Sequence, residues 1–361
     1  MQMKGPVRFG IIGCGKITER LALPQLAACA KAEVAALVDT DRAAAERLAD
    51  RFRIDRRLIW TDWKRMLREA EVEAVAVCLP NHLHAEATVA ALGAKKHVLV
   101  EKPIATTLAE ADAMIAAAKA HERFLMVEQT QRFDPVHEVA HELLANGTLG
   151  KVLRLHGRLG HAGPEYWSTT SPWFTEKRQS GGGALIDVGV HILDLLRWLS
   201  GKDVKRLCCH AKTLQKSVAV EDNAAVLLEF TDGTMGAFDV SWTTHPYEVT
   251  TTWYGQKGQL RTAIGAEHPV RVQLCKADGD PNQPLGEELR PAIPATSRVG
   301  GAYPYFAECV LTGTPPFVSG EEGRATLEVI LGAYESMRTG GWVDLPLSVR
   351  ESRAAMGSRP R

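Results

Sequence analysis

The feature that most limits the fold of this chain is an alternation of short aliphatic runs with amphipathic stretches in its first third. The runs typical of strands are residues 7–12, 33–38, 74–79, 97–100 and 124–127. The stretches between them have helical periodicity, and several begin at a capping residue such as Asp41 or Thr107. Strands separated by helices usually pair in parallel, with helices covering the sheet. The pattern predicts a doubly wound, nucleotide-binding α/β domain.

A different pattern begins after Gly150, where β-rich segments follow one another without helices between them. These segments are residues 152–159, 204–213, 223–230, 234–242, 249–254 and 259–262. Short turns join several of them, so an antiparallel sheet is expected. Two late helices are predicted at residues 303–311 and 321–337. We therefore expect two domains, a dinucleotide-binding domain at residues 1–130 and an α+β domain at residues 131–361.

Composition indicates a small-molecule partner. The 361 residues contain 43 basic and 43 acidic side chains, and neither sign forms a long block that could bind nucleic acid or an anionic membrane. No apolar run approaches the length of a membrane span, and no cleavable leader is evident before the first strand. The seven cysteines have no metal-ligand spacing, which favours free thiols and a cytoplasmic location.

The first strand runs directly into a glycine turn and a helix. In this order of elements, the first glycine allows a tight turn and the second lets the backbone approach a pyrophosphate at the helix N-terminus. The predicted cofactor contacts here are Gly13, Gly15, Lys16 and Ile17.

Asp39 ends the second strand, where a carboxylate can accept hydrogen bonds from ribose hydroxyls and repel a 2′-phosphate. NAD is therefore preferred, with NADP as the alternative because Arg42 could pair with a phosphate. In a purely structural interpretation, Asp39 helps Asp41 to cap the next helix.

Two further motifs follow later strands of the parallel sheet. Ligands bind at the carboxyl ends of such strands, so the motif residues are predicted cofactor contacts. They are Leu79, Pro80, Asn81 and His84 after the fourth strand, and Glu101 and Lys102 after the fifth. The first motif has a structural alternative, because Asn81 can cap the following helix. Lys102 precedes Pro103, which rigidifies the turn and keeps the lysine near the ligand crevice.

A buried helix with a polar stripe is predicted after the glycine run at residues 181–183. At 100° per residue, Asp187, His191 and Asp194 fall within about 60° of one another on a helix that is otherwise apolar. Such a stripe needs polar partners, which a catalytic cleft would supply. The alternative is a core helix whose polar groups satisfy one another and a neighbouring loop. We expect no metal, since spacing offers Asp187 and His191 no third ligand.

Together these motifs resemble the Gfo/Idh/MocA oxidoreductase family. Its hallmarks occur in order as Gly13-Cys14-Gly15, Pro80-Asn81-x-x-His84, Glu101-Lys102-Pro103, Gln131-Arg132-Phe133, and Gly181-Gly182-Gly183 followed by Asp187 and His191. Two positions depart from the pattern: Thr18 replaces a glycine or alanine, and Thr130 stands where asparagine is frequent.

The resemblance implies a Rossmann domain followed by a substrate-binding and oligomerisation domain, whose mostly antiparallel open sheet commonly supports dimers or tetramers. It also implies an NAD(P)-dependent dehydrogenase that acts on sugars, cyclitols or related polyols. Lys102, Asp187 and His191 would be its catalytic residues.

The three catalytic residues can divide the work of removing a hydride from an alcohol. His191 is the expected general base, and Lys102 would stabilise the developing alkoxide. Asp187 would orient the imidazole or bind a neighbouring hydroxyl. Tyr166 and Trp173, from an aromatic connection at residues 161–174, are predicted to stack on the substrate ring, although aromatic residues there could equally pack the loop.

Two other functions are compatible with the sequence. Some members of the family use bound NAD for transient oxidation that enables glycoside cleavage. A non-catalytic, cofactor-binding regulator is the other alternative, against which the retained Lys102, Asp187 and His191 argue.

Overall fold

The chain divides into two units, each built around its own sheet. The computed structural model describes residues 5–166, 173–275, 282–283, 288–348, 350–351 and 355. Residues 1–129 and 299–327 form the first unit, and residues 130–298 and 328–361 form the second.

The described part of the first unit contains six parallel strands. They are β1 (Val7–Ile12), β2 (Ala32–Val38), β3 (Ile59–Trp60), β4 (Ala74–Val77), β5 (His97–Glu101) and β6 (Leu125–Glu128). Their order is β3-β2-β1-β4-β5-β6. The central strands are buried on both faces, which explains the unbroken aliphatic runs in the sequence. The predicted doubly wound sheet is confirmed, and only the two-residue β3 was not foreseen.

Five helices alternate with these strands. They are α1 (Leu23–Ala27), α2 (Arg42–Phe52), α3 (Trp63–Glu69), α4 (His84–Gly93) and α5 (Leu108–Ala120). Both expected caps form: Asp41 accepts from the Ala43 amide at 3.0 Å, and Thr107 forms a capping box with Glu110. A wide helical turn at Thr18–Ala22 precedes α1.

The second unit contains a mixed sheet of eight described strands. They are β7 (Val152–Gly160), β8 (Val204–Lys212), β9 (Asn223–Phe230), β10 (Met235–Ser241), β11 (Glu248–Gly255), β12 (Gly258–Ala263), β13 (Val270–Leu274) and β14 (Val343–Asp344). Their order is β13-β12-β11-β7-β10-β9-β8-β14. Every pair is antiparallel except β7 with β10, so the expected mostly antiparallel sheet is confirmed.

The remaining α-helices of the described ranges all follow β6 in the sequence. They are α6 (Pro135–Ala145), α7 (Lys177–Ser180), α8 (Ala184–Asp187), α9 (Gly189–Ser200), α10 (Ala302–Thr312) and α11 (Gly320–Thr339). The single buried helix expected after the glycine run is instead two helices, because the backbone at Val188 leaves the regular geometry between α8 and α9. No helix in the described ranges is long and apolar enough to cross a membrane.

Residues 299–327 group with the first unit, whereas the sequence placed them in the second domain. Phe306 of α10 meets Phe9 of β1 edge to face, with ring centroids 6.3 Å apart. The Val127 amide donates to the Val318 carbonyl at 3.0 Å. Periodicity predicts a helix at this point but does not say which sheet it packs against. The division between the units falls inside α11, between Leu327 and Glu328.

A buried ion pair fixes α9 within the second unit. Arg132 donates from two nitrogens to both oxygens of Asp194, each bond being 2.7 Å long, and both side chains are almost completely buried. Arg132 lies in the turn Thr130–Phe133, so the pair ties α9 to this turn, while Arg197 pairs with Asp203 at 2.8 Å.

Removing the charge of Asp194 should destabilise this unit strongly, because Arg132 would remain buried without its bidentate partner. We expect Asp194→Asn to cost about 3–5 kcal/mol, which lowers the melting temperature by on the order of 10 °C. The matched control is Glu248→Gln, which breaks a half-exposed pair with Arg158 and should change stability by less than about 1 kcal/mol. Equal shifts in calorimetry would contradict the importance of the buried pair.

Candidate active site

The turn after β1 has the geometry expected of a pyrophosphate-binding loop. Gly13 has φ of +100°, and a Cβ atom there would collide with the carbonyl oxygen of Cys78 at the end of β4. Gly13 is therefore required by both conformation and space. A Cβ atom on Gly15 would meet nothing within 4 Å, so the protein leaves the space beside Gly15 open. The adjacent side chain of Ile17 is 38 % exposed and available for contact.

Thr18 replaces the third glycine without opening the turn. Its side chain is completely buried, and its hydroxyl donates to the Gly13 carbonyl at 2.6 Å. The threonine thus ties the start of the helix to the turn from inside the protein. This position contributes a local hydrogen bond, not a hydroxyl directed at a phosphate.

Asp39 lies next to the same turn. One carboxylate oxygen accepts from the Cys14 amide at 2.8 Å, and the other accepts from the Asp41 amide at 2.9 Å. The cap of α2 is Asp41, so Asp39 does not take that role directly. Two backbone amides orient the Asp39 carboxylate, and its remaining lone pairs can accept from ribose hydroxyls. Arg42 pairs with Glu46 at 2.8 Å on the surface.

His84 connects the two motif loops at the carboxyl edge of the sheet. Its ring nitrogens lie 2.8 Å from the Pro103 carbonyl and 2.8 Å from the Leu79 carbonyl. Burial lowers the pKa of His84, although the two carbonyls oppose that shift. The side chain has no exposed surface, so it supports the loops instead of making the cofactor contact that the sequence predicted.

Lys102 follows β5 and precedes a cis peptide bond to Pro103. Its side chain is half-buried at the carboxyl edge of the sheet, as its position in the sequence predicted.

The neighbouring Glu101 is buried opposite Glu128 of β6, in register with it. Burial raises the pKa of Glu101 well above its usual range, and the charge of Glu128 adds to the rise. The charge of Lys102 opposes this rise in the pKa of Glu101.

The glycine run at residues 181–183 is held by a buried carboxylate. Glu221 accepts from the amides of Gly183 and Leu185 at 2.9 and 3.1 Å and from the Tyr334 hydroxyl at 2.7 Å. A Cβ atom on Gly183 would collide with the carbonyl of Glu221, which explains the glycine. Burial raises the pKa of Glu221. This network sets the start of α8 and hence the position of Asp187.

Asp187 ends α8 and is 7 % exposed. The indole nitrogen of Trp242 donates to its Oδ2 at 2.9 Å, and His161 Nε2 lies 3.6 Å from the same oxygen. In the sequence, Trp242 is the last residue of the predicted strand 234–242, and His161 is the first residue of the aromatic connection 161–174. Neither short-range pattern could show that the ends of β7 and β10 meet at this carboxylate.

His191 lies in the first turn of α9 and is half-buried, whereas Asp194 is completely buried against Arg132. Of the three polar residues of the expected stripe, Asp194 thus has its carboxylate paired with the turn that contains Arg132. The break at Val188 also means that Asp187 and His191 do not share one regular helix.

The predicted substrate-stacking residues lie on either side of residues 167–172, which fall outside the described ranges together with that part of the expected aromatic lid. Tyr166 is 67 % exposed. Trp173 stacks on Phe174 with ring centroids 3.8 Å apart. Both rings are thus present at the surface of the second unit or close to it.

Two family models match the chain, one in each unit. Residues 7–129 match the oxidoreductase family model described as an NAD-binding Rossmann fold. Residues 137–261 match the GFO/IDH/MocA C-terminal domain.

Relatives cover nearly the whole chain. D-xylose 1-dehydrogenase [NADP(+)] of Haloarcula marismortui is 28% identical over 94% of this chain and 93% of its own length. Myo-inositol 2-dehydrogenase of Thermotoga maritima is 27% identical over 92% of this chain and 96% of its own. The crystal structure of GenD2 from gentamicin A biosynthesis in complex with NAD superposes with a TM-score of 0.81 at 26% identity, covering 96% and 98% of the two chains.

Proposed function

Because the chain belongs to the Gfo/Idh/MocA family of oxidoreductases, we propose that it transfers a hydride between a nicotinamide cofactor and a hydroxyl or keto group of a sugar, cyclitol or related polyol. The observation that carries the proposal is the presence of Lys102 at a strand end of an NAD-binding Rossmann domain, in a chain whose second unit presents Asp187 and His191.

The residues of the glycine turn suit a dinucleotide. Gly15 leaves room for a pyrophosphate at the helix N-terminus, where Lys16 pairs with Glu19 at 2.8 Å. Asp39 has a carboxylate oriented by two amides, which suits the ribose of NAD better than the 2′-phosphate of NADP. Leu79, Pro80 and Asn81 would border the cofactor at the carboxyl edge. When bound, the nicotinamide supplies the hydride acceptor.

A bound nicotinamide would accept the hydride from the substrate carbon, whose C–H bond would break, and the hydroxyl would lose its proton to give a carbonyl group. His191 takes the proton as general base. Lys102 donates a hydrogen bond to the oxygen as negative charge develops on it. Asp187 accepts a hydrogen bond from the imidazole or from a neighbouring substrate hydroxyl.

The substrate class is supported by the names of the relatives, which act on xylose and myo-inositol. Tyr166 is exposed, and Trp173 follows it in the chain and stacks on Phe174. Aromatic rings of this kind can stack on the apolar faces of a sugar or cyclitol ring. Transient oxidation with glycoside cleavage and cofactor binding without catalysis remain the alternatives. A homodimer or homotetramer and a cytoplasmic location also stay predictions.

The proposal is tested by incubating the purified chain with NAD or NADP and a panel of polyols, aldoses and glycosides. Net dehydrogenation accumulates free NADH, which absorbs in the reduced-nicotinamide band. Cleavage of a glycoside without accumulated NADH would instead support transient oxidation. Tight NAD binding with no turnover of any compound would support the regulator.

Lys102→Ala should lower kcat by about 10²–10⁴-fold, because the developing alkoxide loses its cationic donor, while the affinity for NAD changes only a few-fold. Lys102→Arg keeps the positive charge, so it tests whether a cationic donor of different shape can stabilise the alkoxide. Lys64→Ala, which removes an exposed lysine from α3, is the matched control. Undiminished turnover of Lys102→Ala would remove the lysine from the mechanism.

Asp39→Ala should weaken NAD binding by about tenfold more than NADP binding, since the ribose acceptor and the charge that opposes a 2′-phosphate disappear together. Dissociation constants from calorimetry give the ratio. Asp41→Asn keeps a good cap on α2 and should leave the ratio unchanged. Equal losses for the two cofactors in Asp39→Ala would contradict the ribose assignment.

A further inference from the structure

Two side chains from neighbouring strand ends converge on one oxygen of Asp187. Trp242 directly follows β10, is completely buried, and donates from Nε1 to Asp187 Oδ2 at 2.9 Å. Its own amide donates to the Asp222 carbonyl at 2.8 Å, so the residue is fixed through its backbone as well as its ring.

His161 directly follows β7 and approaches the same oxygen. Its Nε2 atom lies 3.6 Å from Asp187 Oδ2, while its Nδ1 atom accepts from the Gly163 amide at 2.9 Å. Because an amide nitrogen can only donate, Nδ1 must offer a lone pair, and the proton of the neutral ring is on Nε2. The imidazole therefore directs an N–H group towards the carboxylate.

The surroundings hold His161 in this orientation. Its backbone amide donates to the Ser241 carbonyl at 3.0 Å, and its carbonyl accepts from the Thr244 amide at 3.2 Å. Lys216 donates to the Ala162 carbonyl at 2.6 Å and also pairs with Glu165. The short segment that contains the Gly163 amide is thus anchored from β7 and from the loop before β9.

We propose that Trp242 and His161 are positioning residues that hold Oδ2 of Asp187, so that its carboxylate meets the substrate in one orientation. The inference rests on the proposed function, in which Asp187 contacts the substrate or the imidazole of His191. A hydrogen bond to Oδ2, with a second N–H group directed at the same oxygen, restricts rotation of the carboxylate. The 3.6 Å contact is longer than a hydrogen bond, and we expect it to tighten when substrate binds.

The same sheet contains a matched control for the tryptophan. Trp253 in β11 is as completely buried as Trp242, but its indole nitrogen donates to the neutral hydroxyl of Thr251 at 2.8 Å. Replacing either tryptophan with phenylalanine removes an indole N–H group and leaves a comparable gap in the core. Only Trp242→Phe removes a donor from Asp187.

We expect Trp242→Phe to lower kcat about tenfold or more on a substrate found in the panel, with NADH affinity within threefold of wild type. Trp253→Phe should keep kcat within about twofold per folded molecule. With a substrate deuterated at the reacting carbon, the isotope effect on kcat should rise in Trp242→Phe, because a misplaced carboxylate slows the chemical step. Mere loss of folded protein lowers the rate but leaves KM and the isotope effect unchanged.

His161 is tested with a conservative pair. His161→Leu removes the N–H group and should reduce kcat about tenfold, whereas His161→Gln carries an amide donor at similar reach and should recover most of the loss. Equal defects in the leucine and glutamine variants, or equal defects in Trp242→Phe and Trp253→Phe, would overturn the proposal.

A spectroscopic measurement tests the array without turnover. The chain has eight tryptophans, and indole N–H signals of the 15N-labelled full-length protein can be assigned with the phenylalanine variants. Asp187→Asn should move the Trp242 signal and leave that of Trp253 in place; an unmoved Trp242 signal would contradict the array. A wild type that binds NADH and shows this response, but oxidises no compound in the panel, would count against the proposed function alone.

Discussion

Buried carboxylates need hydrogen-bond donors, and the second unit is organised by that requirement. Asp187, Asp194 and Glu221 are each less than a tenth exposed around two mostly apolar helices. Each obtains its donors from a different source: an indole for Asp187, a guanidinium for Asp194, and backbone amides with a tyrosine hydroxyl for Glu221. A carboxylate left unpaired at such burial would cost several kcal/mol, so each one fixes the segment that supplies its donors. The helices that carry Asp187 and His191 are thereby held at three points.

The first unit positions its own motif residues mainly through the backbone. The turn after β1 approaches the end of β4 so closely that only glycine fits at position 13, and His84 joins the loops after β4 and β5 through two carbonyls. These bonds place the two loops beside one another without using the side chains that would face a ligand. Lys102 can consequently remain half-buried at the sheet edge while its loop is anchored from behind. The residues that hold the loops thus differ from those proposed to bind the cofactor and substrate. A motif residue such as His84 can have a purely structural role.

Periodicity in the sequence predicts most of the strands and helices here, because burial on one or both faces leaves a direct mark on residue order. It located β1 and β9 to the residue and found α10 and α11 within one or two residues. Hydrogen-bond partners that are distant in the sequence could not be predicted in this way. Arg132 and Asp194 are 62 positions apart, and Trp242 and Asp187 are 55 apart, so nothing local identifies either pair. The break at Val188 was missed because the apolar pattern of the sequence continues through it.

Thr18 illustrates how the cofactor turn can depart from its family pattern and keep its geometry. A third glycine in this motif usually serves close packing between helix and strand. Here the threonine is itself buried, and its hydroxyl donates a hydrogen bond to the Gly13 carbonyl. The helix begins with a wide, π-helical turn at Thr18–Ala22. The hydrogen bond therefore links the start of the helix to the glycine turn by a specific contact, where a third glycine would act through close packing alone. The neighbouring amide of Cys14 in the same turn donates to Asp39, so the turn is connected to the helix on one side and to the end of β2 on the other.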